Sequence, residues 1–272
     1  MTIQDVITYA KNHNVDVLDA ELLLADVLEV KQAFVLAHPE NVITNQQEIK
    51  ILALLDRRSL GEPLAYLTGV KEFFDLPLLV NKNVLVPRPE SEEAVEWVLE
   101  KAKNQMVHSI LDVGTGSGAL ALALAKHLPK TQVAALDTKE KILDVARKNA
   151  KDLGINNVNF IKSNLLEKLD SEKKFDVIVA NLPYLDANWQ RDPSTKSEPK
   201  EALYASDNGL ALYCQLLQEL PNYLQDNAFG IFEADPRNAE ELFTLLQKSL
   251  PAKKVTLKND LAGLARFVTF EK

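Results

Sequence analysis

The sequence predicts an α/β fold: a mostly parallel, seven-stranded sheet with helices on both faces, preceded by a small helical bundle and a hairpin linker. Three observations carry this. From residue 91 onward, short apolar runs alternate with amphipathic stretches of helical period. Residues 1 to about 69 show helical period alone, and a glycine-rich turn stands where the first of the alternating strands meets its helix.

Taken in order, apolar positions spaced by three and four in "IQDVITYA", "DVLDAELLLADVLEV" and "NQQEIKILALLDRR" make the bundle, which Gly61 and Pro63 punctuate. Residues 70–90 hold "EFFDLPLLVNKNVLVPRPE", short apolar runs split by Asn81-Lys82-Asn83 and closed by prolines, read as a β-hairpin linker between domains 1–69 and 91–272. The second domain then runs helix 91–103, strand 109–113, helix 118–127, strand 132–136, helix 139–152, strands 158–162 and 175–180, helix 208–224, strand 228–233 and helix 236–249. Strands near 253–259 and 265–271 are close enough in sequence to be antiparallel neighbours. Ligands of such sheets sit beyond the carboxyl ends of the strands, so the chemistry is expected there.

Composition excludes several classes. No apolar run approaches the roughly eighteen residues that span a bilayer, and Asp5 interrupts the first apolar segment, which argues against a signal peptide and for the cytoplasm. The single cysteine, Cys214, leaves no internal disulfide and reads as a core thiol; His13, His38, His108 and His127 show no ligand spacing, so no metal is expected. A net charge of −8 lacks the basic footprint of a nucleic-acid binder and favours a protein or small-molecule partner.

The first strand ends in "LDVGTGSGALALALA". Gly114, Gly116 and Gly118, with Thr115 and Ser117 between them, let the backbone turn sharply and approach a ligand ahead of a helix N-terminus. The spacing also satisfies the loose dinucleotide fingerprint, and it can make a plain strand-helix turn. Asp112 decides for another cofactor: a carboxylate beside a pyrophosphate repels it, whereas it favours an ammonium. S-adenosylmethionine has that ammonium and no phosphate. Asp137, nineteen residues after Gly118 at the next strand end, is placed to accept both ribose hydroxyls, and can also cap the helix that follows. In "FIKSNLL", Asn164 can hydrogen-bond the adenine and Leu165 can pack on it.

With these residues in hand, the chain resembles the class I S-adenosylmethionine-dependent methyltransferases, whose sheet is Rossmann-like. Within them it resembles the protein-(glutamine-N5) methyltransferases that modify peptide chain release factors. The resemblance covers nearly the whole chain through "EPLAYLTGVKEFF", "VPRPESE", "LDVGTGSG", "NLPY", "SEPKEAL" and "DLAGLARFV". It implies S-adenosyl-L-methionine as cofactor, a release factor as substrate, recognition of that substrate by residues 1–69, and a monomer with no direct nucleic-acid or membrane partner.

In such a sheet the first and fourth strands end side by side, so Asn181, Leu182, Pro183 and Tyr184 should face the cofactor held by the glycine loop. A carboxamide nitrogen is a poor nucleophile, and the site must orient it and support the positive charge that develops on it. The Asn181 side-chain oxygen and the Leu182 carbonyl can each accept one N–H of the substrate amide, and Tyr184 can lie flat against the amide plane. The family pattern is Asn-Pro-Pro-Tyr. Leu182 departs from it, adding an N–H to satisfy, while Pro183 still holds residue 182 extended. Asn164 stands where relatives often carry an acid.

The remaining candidates have plainer alternatives beside them. Arg88 and Glu92 suit the rim of the site or a linker and helix start, and Pro89 and Ser91 can begin that helix. Phe73 and Phe74 suit a substrate channel or hairpin packing, and Glu198 with Pro199 lies in the long polar connection 186–202, a lid or an exposed loop. Two other functions fit the motifs. The same reader suits the exocyclic amine of a flipped adenine, which the acidic charge disfavours, and a non-catalytic cofactor-binding module needs neither "NLPY" nor its placement.

Overall fold

Two capping boxes start helices of the N-terminal unit. The Thr2 hydroxyl accepts the Asp5 N–H while the Asp5 carboxylate takes the Thr2 N–H at α1 (Ile3–Asn12). Thr44 and Gln47 repeat the arrangement at α4 (Asn45–Ser59), and Asp16 caps α2 (Val17–Leu28). Short helices α3 (Gln32–Ala37) and α5 (Leu64–Thr68) complete the bundle. Its core is the apolar stripe of each helix: Ile3, Val6 and Ala10, then Leu23 and Leu24, then Ile51 and Leu55. Arg58 of α4 pairs with Asp19 of α2 at 2.7 Å across the bundle.

The structure, a computed structural model, describes residues 1–190 and 195–272. It divides into two units, 1–70 with 195–197 and 71–190 with 198–272. The hairpin β1 (Val70–Phe73) and β2 (Leu76–Leu79) turns at Phe74-Asp75, both left-handed at φ 47° and 58°, and not at Asn81-Lys82-Asn83. Glu92 accounts for this, since its carboxylate accepts the Phe74 N–H at 3.0 Å and holds a turn that its residue types do not advertise. Asn81 to Asn83 instead bend the chain after the hairpin, with the Val84 N–H donating to the Asn81 carbonyl, and 84–88 form no strand.

Seven strands form one sheet in the order β5-β4-β3-β6-β7-β9-β8. β3 (Ser109–Val113), β4 (Gln132–Asp137), β5 (Val158–Lys162), β6 (Phe175–Ala180) and β7 (Leu224–Glu233) run parallel; β9 (Ala265–Glu271) is antiparallel to both β7 and β8 (Lys254–Asn259). Side chains alternate across the sheet. Ile110, Val177 and Val179 pack under α6 (Glu92–Ala102) and α7 (Ala119–His127), while Leu111, Val113, Ile178 and Ala180 pack under α9 (Ala211–Glu219) and α10 (Ala239–Ser249). α8 (Glu140–Asp152) links β4 to β5. The expected helix 208–224 is shorter because Pro221 has no N–H to continue it; a 3₁₀ turn spans 220–223, and β7 begins at Leu224. The order of strands reverses between β3 and β6, whose ends Val113 and Ala180 are register partners. That reversal opens the crevice where such folds bind ligands.

Candidate active site

One cavity lies at the carboxyl ends of β3, β4 and β6, walled by the glycine loop, Asp112, Asp137, Asn164, Leu165, Asn181, Leu182 and Pro183, with Phe73, Arg88 and Ser91 on another side. The loop is self-supporting. The N–H groups of Gly114 and Thr115 donate to the Leu136 carbonyl, Gly118 to Thr115, and Gly116 to Asp137 Oδ2 at 3.0 Å. Four amides that would cradle a pyrophosphate are therefore already used, which turns the site away from a dinucleotide.

Asp112 is buried, and only one of its carboxylate oxygens is satisfied: Oδ2 accepts the Thr115 hydroxyl at 2.7 Å, while Oδ1 has no partner among the described residues. Burial raises its pKa to about 7, against the pull of the Thr115 hydroxyl. An orphaned carboxylate oxygen on a cavity wall asks for a cationic donor, which an amino-acid ammonium supplies. Asp137 accepts backbone amides of Gly116 and Thr138 and retains lone pairs for a diol, its pKa raised by burial. Asn164 is steadied by Glu167 at 2.6 Å, and Leu165 holds a left-handed φ of 44° beside it. The residues present thus fit S-adenosyl-L-methionine.

The reader tetrapeptide is anchored from behind. Asn181 Nδ2 donates to Glu233 Oε2 at 2.8 Å and to Ser91 Oγ at 3.0 Å, so its Oδ1 is the end left for a ligand. Asn238, buried, donates to the Tyr184 carbonyl at 2.9 Å. Gly209, at φ 81°, presses so closely that a Cβ there would lie 2.0 Å from the same carbonyl oxygen. On the cavity side Leu182 packs over Gly114, where a Cβ would come within 2.8 Å of Leu182 Cδ2. The reader and the glycine loop are in direct contact.

Three of the site candidates are off the wall: Gly118, which starts α7 at φ 85°, Tyr184 and Glu198. Tyr184 does not line the cavity; its hydroxyl donates to Glu233 Oε1 at 3.0 Å, and burial with the nearby Glu233 charge raises the phenol pKa well above its ordinary value. Glu198 is likewise buried behind the wall, where it accepts Arg88 Nη2 at 2.6 Å and the Val86 N–H at 3.2 Å. It holds Arg88, the residue that does face the cavity.

The sequence reading missed Glu233 and Tyr213. A charged residue ending the apolar run "GIFE" was the available signal for Glu233. Tyr213 satisfies the N–H that Leu182 adds: its hydroxyl lies 3.3 Å from that nitrogen and donates to the Glu233 carbonyl at 2.5 Å. Tyr213→Phe should strand the buried Leu182 N–H and cost roughly 1–3 kcal/mol. In a Leu182→Pro background, which has no such N–H, the same change should cost about 1 kcal/mol less, measured as a double-mutant cycle in urea unfolding. Equal costs in both backgrounds would show that the contact carries no energy. Because Pro183 already restricts residue 182, Leu182→Pro alone should alter turnover only modestly.

A parallel sheet that reverses its order at β3 and β6, with a self-supported glycine loop, an orphaned acid and a second acid at its switch point, defines a class I S-adenosylmethionine-dependent methyltransferase. The comparisons agree. Residues 105–266 match the family described as "Methyltransferase domain" and residues 8–69 that described as "PrmC N-terminal domain". The "Release factor glutamine methyltransferase" of Coxiella burnetii is 38% identical over 251 residues, covering 92% of this chain and 90% of that protein. The protein of the same name from Escherichia coli strain K12 is 39% identical over 220 residues, covering 79% and 78%. Among solved structures, ribosomal protein L11 methylase from Lactobacillus delbrueckii subsp. bulgaricus superposes with a TM-score of 0.51 at 22% identity, over 70% of this chain and 81% of that one, a likeness of fold. The chain belongs to the release factor glutamine methyltransferase family.

Proposed function

We propose that this protein transfers the methyl group of S-adenosyl-L-methionine to the side-chain amide nitrogen, N5, of a glutamine in peptide chain release factors. The observation that carries this reading is Asn181, which lines the cavity with Asp112 and the glycine loop and whose nitrogen is engaged by Ser91 and Glu233, leaving its oxygen to accept from a ligand. When bound, the cofactor supplies an electrophilic methyl on a sulfonium. Asp112 Oδ1 takes its ammonium and Asp137 its ribose hydroxyls. Asn181 Oδ1 accepts one N–H of the glutamine amide and the Leu182 carbonyl the other, which aims the nitrogen and supports the charge it gains. The nitrogen gains the methyl as the methyl–sulfur bond breaks, with S-adenosylhomocysteine as the leaving group. The positive charge it acquires makes it acidic enough to give one proton to solvent, so no strong base is needed before attack.

Two further features support the choice of partner. Net charge is −8, against the electrostatics of a nucleic-acid methyltransferase, and residues 1–69 form a separate unit with its own core. We assign that unit to substrate recognition, in a cytoplasmic monomer that does not bind nucleic acid directly. No helix among the described residues is long and apolar enough to cross a membrane.

The test is incubation with labelled cofactor and a purified release factor, with the product located by mass spectrometry after digestion. A methyl on a glutamine side-chain nitrogen is expected; methylation confined to Lys or Arg, or to an adenine in added nucleic acid, would overturn the reading. Removing residues 1–69 should leave S-adenosylhomocysteine affinity nearly unchanged while sharply lowering methylation of the intact release factor. Equal activity of the shortened and full chains would remove the bundle from recognition.

A further inference from the structure

Glu233 ends β7 with its side chain buried, 2% of the residue exposed, and it is absent from the cavity wall. Its carboxylate collects three donors from two parts of the chain: Ser91 Oγ at 2.5 Å on Oε2, Asn181 Nδ2 at 2.8 Å on the same oxygen, and the Tyr184 hydroxyl at 3.0 Å on Oε1. Burying a carboxylate is expensive, and an apolar residue of like volume would pack the end of a strand without that cost. The placement asks for a reason beyond packing.

The chemistry of the donor set supplies one. An Asn side chain can present either end of its amide, and nothing in its own shape selects which. An ionised carboxylate only accepts. Set against Asn181, it admits the NH2 end alone and turns Oδ1 away from itself. Three donors converge on the carboxylate, and the guanidinium of Arg266 on β9, itself fixed by buried Asp260 at 2.7 Å, adds an attractive charge. Burial outweighs the rest and leaves the carboxyl's pKa above its ordinary value, with Glu90 adding to the rise, while Ser91, Tyr184 and Arg266 pull it down.

We propose that Glu233 is a positioning residue for methyl transfer: by holding Asn181 through its amide nitrogen, it fixes Asn181 Oδ1 as the acceptor that orients the substrate amide. The inference rests on the function proposed above and adds a residue that never touches the substrate. Ser91 shares the task as the hydroxyl that bridges the two side chains. The segment "DLAGLAR" takes a role as well, through Asp260 and Arg266, as a half-buried counter-charge to Glu233.

The test uses the full chain and a purified release factor. Glu233→Gln keeps the shape but puts an NH2 group among donors, so that Asn181 or Tyr184 must turn. Its kcat should fall about 30- to 100-fold, the scale of one lost transition-state acceptor, with KM for the release factor and Kd for S-adenosylhomocysteine each within threefold of the parent. The exchanged pair Asn181→Asp with Glu233→Gln reverses donor and acceptor and again leaves an oxygen facing the cavity. It should recover to within about tenfold of the parent, where either single change is far slower. A residue that only holds the fold gives no such rescue. Glu233→Gln as fast as the parent, a double variant no faster than Glu233→Gln alone, or a loss of cofactor affinity in step with the rate would each overturn the proposal. A parent protein that methylates no glutamine would instead overturn the proposed function. The Asn181 side-chain amide signals in NMR still test the tether in that case: slow exchange in the parent that is lost in Glu233→Gln is expected, and equal exchange in both refutes it.

Discussion

Replacing Asn181 with alanine should lower the methyl-transfer rate about a hundredfold or more, while S-adenosylhomocysteine binds within about threefold of its parent affinity. The expected size is that of a lost oxyanion-type partner, since the oxygen removed acts on charge that appears only as the nitrogen attacks. The split between rate and affinity follows from the two halves of the cavity. On the proposed reading Asp112, Asp137 and the glycine loop would hold the cofactor, while the Asn181 nitrogen is engaged by Ser91 and Glu233. Single-turnover kinetics with saturating cofactor, beside calorimetric titration of the product cofactor, separates the two quantities. A variant as fast as the parent would reduce "NLPY" to a turn at the end of a strand.

The second large effect is in pH. With the cavity free, burial raises Asp112 to about 7, so that below this pH it carries a proton which an incoming ammonium must displace. S-adenosylhomocysteine should therefore bind more tightly as pH rises through about 7, and below it lose affinity by up to about tenfold per unit. Stability of the free protein runs the other way. Because burial holds the folded pKa above the ordinary aspartate value of 3.8, the native state binds the extra proton between about 4 and 7. The contribution of Asp112 to stability therefore falls as pH rises across that window. The thermal shift caused by the ligand should accordingly grow from pH 6 to pH 8. Asp112→Asn should bind weakly at every pH with this slope gone; a slope that survives in the variant would assign the titration to another group.

How much of this was legible in the sequence depends on what each residue answers to. β3, β5, β6 and β9 have the bounds expected of them, because apolar runs bounded by turn residues report burial directly. The glycine loop and the reader were placed together by topology alone, since a strand order that reverses must bring those two strand ends into contact. The hairpin turn was misplaced because Phe74-Asp75 has no glycine or asparagine to mark it, and the carboxylate that stabilises it belongs to Glu92. Tyr184 is expected against the substrate amide and Glu198 in a lid or an exposed loop; the structure pairs them with Glu233 and Arg88, partners that periodicity cannot assign to them. A charge ending "GIFE" marks Glu233, but its partners are not legible in sequence: its three side-chain donors come from the start of α6 and the end of β6, and only the folded sheet assembles them.

The glycine loop has a thermodynamic side. Its amides are committed to Leu136, Thr115 and Asp137, so 114–118 take their shape when the sheet folds and do not wait for a ligand. The entropy of ordering the loop is charged to folding, and association with the cofactor is spared it. A substitution that loosens those bonds without touching any ligand atom would transfer that cost to binding. It would be seen as weaker affinity with every contact intact in the complex, and as a binding entropy made more unfavourable by the residues that must then be ordered.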